Sequence, residues 1–170
     1  MTIRTIFLDR DGVINKEVNY LHKVEDFIFI DGIFDICHHF ENLGYKIVVV
    51  TNQSGIFRGL YNENDFQKIS DWMLDQFKLN NINILDIFHC PHGPESKCRC
   101  RKPKAGMLYK AQKRYGIDLK NSWIIGDSET DIEAGINAGI SNTILLAKSS
   151  SSKAKYLANS IKEIKKIIHF

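Results

Sequence analysis

Along this chain the spacing of hydrophobic positions switches repeatedly between short β-branched runs and stretches with helical period. IRTIFLD (3–9) reads as a short buried strand, and DGIFDICHHFENLGY (31–45) has helical spacing. That helix would bury Ile33, Ile36, Cys37 and Phe40 and stop at Gly44. KIVVVTN (46–52) is a second buried strand, and NENDFQKISDWMLDQFKLN (62–80) is an amphipathic helix with an Asn/Asp-rich start. INILDIFHC (82–90) is a third strand. An irregular PHGPESKCRCRKPK follows it and holds all three prolines.

The alternation then resumes with a helix at 106–116, a strand at 122–127, a helix at 128–139 and a strand at 142–147. SSSSKAK (149–155) reads as a mobile loop, and SIKEIKKII (160–168) as a closing helix. Strands alternating with helices predict an α/β fold: a Rossmann-like three-layer α/β/α arrangement around a mostly parallel sheet. There is no internal repeat and no linker long enough to divide the chain, so residues 1–170 are expected to form a single domain.

Composition narrows the function without naming it. With 170 residues, 44% of them hydrophobic and 25% charged, the chain can bury a real core. The formal charge of +3 is small and its basic residues are scattered, which argues against nucleic acid as a partner. The apolar runs IVVV and FIFI are strand-sized and far below the roughly 20 residues of a membrane span. No secretion signal is visible, so a cytoplasmic location and no membrane partner are expected.

Chemistry concentrates where the strands end. In open parallel sheets, sites form beyond the carboxyl ends of the strands. Three strands here end in reactive polar residues: Asp9-Arg10-Asp11-Gly12, Thr51-Asn52-Gln53-Ser54-Gly55 and Gly126-Asp127, with Asp131 a turn later. Any one of these could be a turn or a helix cap; three together point to an active site. Asp9 and Asp127 suit a hard cation such as Mg²⁺. A carboxylate that attacks phosphorus splits hydrolysis into two easier steps, and Asp11 can protonate the leaving group and then activate water. Thr51 offers a hydroxyl to phosphate, and Asn52 and Gln53 offer amides. Lys102 supplies a fixed cation, with Arg101 beside it as a bidentate clamp.

FLDRDGVIN, VVVTNQSG, CRCRKPKAGM and IIGDSETD, in that order, resemble the four motifs of the haloacid dehalogenase-like phosphatases. The match covers nearly all of residues 3–147. It is closest to the subgroup containing D-glycero-D-manno-heptose 1,7-bisphosphate phosphatases and histidinol-phosphate phosphatases. The resemblance implies Asp9 as nucleophile and Asp11 as acid/base. It implies Thr51 and Lys102 as phosphate ligands, and Mg²⁺ held by Asp9, the Asp11 carbonyl and Asp127. TNQSGIFRGLY, with Arg58-Gly59, resembles the heptose branch. By that match Glu17, Val18, Asn19, Tyr20, Thr51, Asn52, Gln53, Ser54, Arg58 and Arg101 would line the substrate pocket.

The resemblance therefore implies an Mg²⁺-dependent phosphatase that cleaves the C7 phosphate of a small sugar bisphosphate in nucleotide-activated heptose biosynthesis; a monomer is expected. Histidinol phosphate remains the alternative substrate. Large caps in this superfamily insert after the first or second motif. Both gaps are already filled by core elements here, so no large cap is expected.

Cys90, His92, Cys98 and Cys100 form a Cys₃His set within eleven positions, the donor set of a closed tetrahedral zinc site. In a reducing compartment such clustering favours metal over disulfides. Because Cys100 directly precedes Arg101 and Lys102, the Zn²⁺ role reads as structural: it would aim those cations at the phosphate. His89 continues a strand and is expected to pack or hydrogen-bond instead. A zinc-loop nucleic-acid module would need stacking aromatics in a basic patch, and the loop has none.

Overall fold

The computed structural model describes residues 2–149 and 151–170, so the expected loop at 149–155 lies partly outside the described residues, at Ser150. Six parallel strands form one sheet: β1 (Thr5–Leu8), β2 (Lys46–Asn52), β3 (Ile84–Cys90), β4 (Trp123–Gly126), β5 (Asn142–Leu146) and β6 (Tyr156–Ala158). Their order is β3-β2-β1-β4-β5-β6. The chain builds outward from β1 in one direction, then returns to its other side at β4. That reversal opens a crevice beyond the carboxyl end of β1, where doubly wound sheets place their sites.

The helices are α1 (Ile33–Asn42), α2 (Ser54–Phe57), α3 (Glu63–Leu79), α4 (Gly106–Tyr115), α5 (Glu129–Asn137) and α6 (Ile161–Ile167). Successive strand residues point to opposite faces, so the sheet feeds two cores. Ile6, Leu8, Ile47 and Val49 face the layer of α1, α3 and α6, meeting Ile36, Phe40, Met73, Phe77 and Ile164. Phe7, Val48, Val50 and Ile124 face the layer of α4 and α5, meeting Met107, Leu108, Ala111 and Ala134. The three-layer α/β/α expectation holds, with the sheet wholly rather than mostly parallel. No large cap is present among the described residues.

Local signals account for the element ends. α1 buries Ile33, Ile36, Cys37 and Phe40, the expected face, and Gly44 just beyond it takes φ +82, a conformation that suits glycine. α3 opens on a reciprocal cap in which the Asn62 side chain accepts from the Asp65 N–H and Asp65 returns the bond. Two elements lie outside the sequence expectation. α2 is a single turn that begins at Ser54, with Gln53 at its N-cap. β6 is three residues long and exists by pairing with β5, Ile144 opposite Tyr156 and Leu146 opposite Ala158. Neither is long enough to show a period.

Candidate active site

The site begins with Asp9, the residue after β1. Its N–H donates to the Ile125 carbonyl at 3.1 Å, tying this turn to β4. The Asp9 carboxylate Oδ1 accepts from the Arg10 N–H and from Lys102 Nζ, both at 2.9 Å. Lys102 is 4% exposed, and its ammonium also donates to the Val50 carbonyl at 2.8 Å and meets Asp131 Oδ1 at 2.5 Å. Three acceptors satisfy its three donors. Asn52 anchors the backbone around it: Asn52 Oδ1 accepts from the Lys102 N–H at 3.0 Å, and Asn52 Nδ2 donates to the Lys102 carbonyl at 3.1 Å. An otherwise irregular loop is thereby clipped to the end of β2.

Electrostatics follow from burial and from three neighbouring carboxylates. Burial raises the Asp9 carboxyl well above the usual range; the Asp131 charge adds to this, and Lys102 opposes it. Asp127 is pushed to about 6, first by burial and then by Asp131 and Glu17. Burial works against the Lys102 charge, but Asp131 and Asp9 outweigh it and hold the ammonium firmly protonated.

Carboxylate oxygens of Asp9, Asp127 and Asp131 lie within 4.8 Å of one another. Asp131 is already committed, its Oδ1 to Lys102 and its Oδ2 to the Ser128 N–H and hydroxyl, which leaves Asp9 and Asp127 for a hard cation. The backbone around them is shaped to the same end. Gly12 has φ +88, and a Cβ there would come within 1.9 Å of Asp127 Oδ2. The Asp11 carbonyl takes no hydrogen bond among the described residues, whereas the Arg10 carbonyl takes three. The donor set therefore suits a divalent cation.

Asp11 has a different surrounding. Its Oδ1 accepts from Arg10 Nη2 at 3.0 Å, from Arg10 Nε at 3.3 Å and from Asn15 Nδ2 at 3.0 Å, and its Oδ2 accepts from Gln53 Nε2 at 3.1 Å. Arg10 is 1% exposed, so this guanidinium is a structural brace for the turn.

A cavity of about 330 Å³ gathers most of the expected residues. Asp9, Asp11, Glu17, Val18, Asn19, Tyr20, Asn52, Gln53, Ser54, Lys102 and Asp127 line it. Thr51, Arg58 and Arg101 stand outside that lining. Thr51 is fully buried behind it, its hydroxyl oxygen accepting from Gln53 Nε2 at 2.9 Å. Arg58 is exposed at the rim, its guanidinium 5.9 Å from the centre of the Tyr20 ring. Arg101 Nη1 donates to the His92 carbonyl at 3.3 Å and borders a separate hollow of about 290 Å³ with Lys104 and Ser96. Asp131, Arg10 and Tyr61 line the cavity without having been assigned a role. For Asp131 a signal existed: Ser128 and Asp131 form a capping box, which aims the carboxylate back at the strand end.

Beside this cavity, ligand atoms of Cys90, His92, Cys98 and Cys100 also lie within 4.8 Å of one another. Sulfur–sulfur separations are 3.1 Å for Cys90–Cys100 and 3.8 Å for Cys90–Cys98, and His92 Nδ1 is 3.4 and 3.2 Å from Cys90 and Cys100. A tetrahedron with metal–sulfur bonds of about 2.3 Å has edges of about 3.8 Å, so the cluster is of the right size for one metal ion. His89 stays apart, pairing with Glu63 at 2.7 Å and stacking on Phe66.

A parallel sheet with Asp-x-Asp after its central strand, a hydroxyl at the carboxyl end of the neighbouring strand, and a buried lysine facing an acidic strand end defines a haloacid dehalogenase-like hydrolase. A family model described as "HAD-hyrolase-like" matches residues 99–168. The D-glycero-alpha-D-manno-heptose-1,7-bisphosphate 7-phosphatase of Campylobacter jejuni is 46% identical over 100% of this chain and 96% of its own. The D-glycero-beta-D-manno-heptose-1,7-bisphosphate 7-phosphatase of Helicobacter pylori is 44% identical over 85% of this chain and 84% of its own. Among solved structures, the D,D-heptose 1,7-bisphosphate phosphatase of B. bronchiseptica, complexed with magnesium and phosphate, superposes with a TM-score of 0.87. It is 28% identical, and the match covers 97% of both chains. This chain belongs to the family of the D-glycero-D-manno-heptose-1,7-bisphosphate 7-phosphatases.

Proposed function

We propose that this protein hydrolyses the C7 phosphate of D-glycero-D-manno-heptose 1,7-bisphosphate, a step in nucleotide-activated heptose biosynthesis. The observation that carries this reading is Asp9, held against buried Lys102 in a cavity that Asp11 and Asp127 also line. Asp9 attacks phosphorus, the bond from phosphorus to the C7 oxygen breaks, and an aspartyl phosphate forms. Asp11 gives its proton to the departing alkoxide. It then takes a proton from the water that attacks the aspartyl phosphate, freeing phosphate and restoring Asp9.

Phosphoryl transfer leaves the protein mainly positioning and charge neutralisation. Lys102 provides fixed positive charge, and the Thr51 hydroxyl, accepting from Gln53, keeps its own hydrogen for a phosphate oxygen. Asp9, the Asp11 carbonyl and Asp127 would hold magnesium, which would supply charge that keeps the carboxylates ionised and balances the phosphate oxygens. Glu17 to Tyr20 and Ser54 line the cavity and would face the sugar, while Arg58 and Arg101, which lie outside that lining, would meet the second phosphate. The Cys₃His cluster would hold zinc, which would fix the loop carrying Arg101 and Lys102.

Phosphate release in Mg²⁺ from both heptose 1,7-bisphosphate anomers, histidinol phosphate and fructose 1,6-bisphosphate tests the assignment. Preference for a heptose bisphosphate by at least tenfold in kcat/KM is expected, about 1.4 kcal/mol of discrimination. Preference for histidinol phosphate would overturn the substrate while keeping the chemistry.

A further inference from the structure

The sugar-facing cavity contains a buried relay whose outer member, Tyr61, the chemistry above does not use; its middle member, Gln53, also donates to the Thr51 hydroxyl oxygen at 2.9 Å. The Tyr61 hydroxyl donates to Gln53 Oε1, and Gln53 Nε2 donates to Asp11 Oδ2 at 3.1 Å. Tyr61 is 6% exposed and Gln53 3%, so both side chains are held in place by packing. The seat for the tyrosine is built: Gly55 lies under the ring, and a Cβ there would come within 2.1 Å of Tyr61 Cε1. His22 also stacks on the ring, with centroids 5.2 Å apart and planes 9° from parallel.

An amide can present either its oxygen or its nitrogen to a neighbour. Here the Gln53 nitrogen donates to Asp11 Oδ2, so the amide oxygen faces away. Tyr61 satisfies that oxygen and, together with the Gln53 bond to the Thr51 hydroxyl, opposes rotation of the amide. Hydrogen bonds in series polarise one another, so the tyrosine also strengthens the Gln53 bond to Asp11.

We propose that Tyr61 is a positioning residue for the proton-transfer step, acting through Gln53 to hold the Asp11 carboxyl in line with the leaving oxygen. The proposal rests on the phosphatase reading and on Asp11 as its acid and base. The proton given to the alkoxide comes from Asp11 alone; Tyr61 and Gln53 keep theirs.

The test compares wild type with Tyr61→Phe, which keeps the ring against Gly55 and removes only the hydroxyl. Single-turnover release of the leaving group is measured for an alkyl phosphate, which needs protonation, and for p-nitrophenyl phosphate, which does not. Alkyl ester cleavage should fall about tenfold, the scale of one buried hydrogen bond, with KM unchanged within about twofold. The nitrophenyl ester should lose less than about twofold. Adding Tyr61→Phe to Gln53→Met should cost little beyond Gln53→Met alone, because the two act in series. Equal losses on both esters, a change confined to KM, or additive effects in the double variant would each overturn the role given to Tyr61. Heptose 1,7-bisphosphate serves as the alkyl ester; a wild-type enzyme that releases phosphate from neither it nor the nitrophenyl ester would instead overturn the phosphatase reading, and the relay with it. Tyr61→Phe leaves Gln53 Oε1 buried without its donor, so the unfolding midpoint should fall by a few degrees; a lowered midpoint accompanied by uniform losses on both esters marks a packing role only.

Discussion

Asp9 and Lys102 are 93 positions apart in the chain, yet they share a buried hydrogen bond of 2.9 Å. Asp9→Asn keeps the shape of the side chain and removes the nucleophile, so folding should persist while turnover is lost. Labelled substrate should mark Asp9 in wild type and leave Asp9→Asn unlabelled; undiminished turnover in that variant would sink the covalent mechanism. Lys102 presents the opposite case. Lys102→Met leaves Asp9 and Asp131 buried without their cation, which should cost about 3–5 kcal/mol in urea unfolding without divalent cations. Adding Asp131→Asn should return part of that loss, since it removes one of the two stranded charges. A Lys102→Met protein as stable as wild type would show that solvent, not Lys102, balances these carboxylates.

At the scale of elements, helix α3 has both ends exposed and one buried face, and its first turn depends on the reciprocal bonds between Asn62 and Asp65. Asn62→Ala removes that cap and should cost about 1 kcal/mol, lowering Tm by about 2–4 °C. Activity should change little, because Asn62 does not line the catalytic cavity. A thermal melt together with a phosphate-release assay checks both halves of that expectation. The same helix sets a limit on what element-scale reading reaches. Its buried face, with Phe66, Ile69, Met73 and Phe77, follows from spacing alone. Spacing does not reveal that Phe66 also stacks on His89 and lies 5.9 Å from the Arg10 guanidinium.

For the molecule as a whole, the two expected metal sites differ in how they are built. The acidic site at the strand ends is open to the cavity and offers few protein ligands. The Cys₃His cluster offers four, with Cys90 fully buried. Mild EDTA should therefore stop catalysis and leave the fold intact, and added Mg²⁺ should restore activity. Zinc should survive that treatment and appear near one atom per chain by elemental analysis. Cys98→Ser should loosen residues 90–102 and weaken phosphate binding through Lys102, while both cores beside the sheet stay folded. Zinc-free protein with full activity and an ordered loop would contradict this assignment. Among the described residues no helix is long and apolar enough to cross a membrane.

Strand and helix character, the strand-end clusters and the Cys₃His set were legible in the sequence, because each depends on residues close together in the chain. Periodicity reports which face of an element is apolar, and short motifs report which groups stand at its end. Strand order, the pairing that creates β6, and the partners of each buried charge were not legible, since they arise from contacts between distant segments. Asp131 illustrates the boundary. Its cap with Ser128 is local and readable, but its bond to Lys102 exists only after α5 and the cysteine-rich loop meet at one end of the sheet. Thr51, Arg58 and Arg101 illustrate it again: their chemistry is plain from residue type, whereas their places behind and beside the cavity follow from packing. The sequence by itself determined which chemical groups this protein has at its strand ends; tertiary structure decided which of them share a cavity, because burying two cores on one sheet fixes how those ends converge.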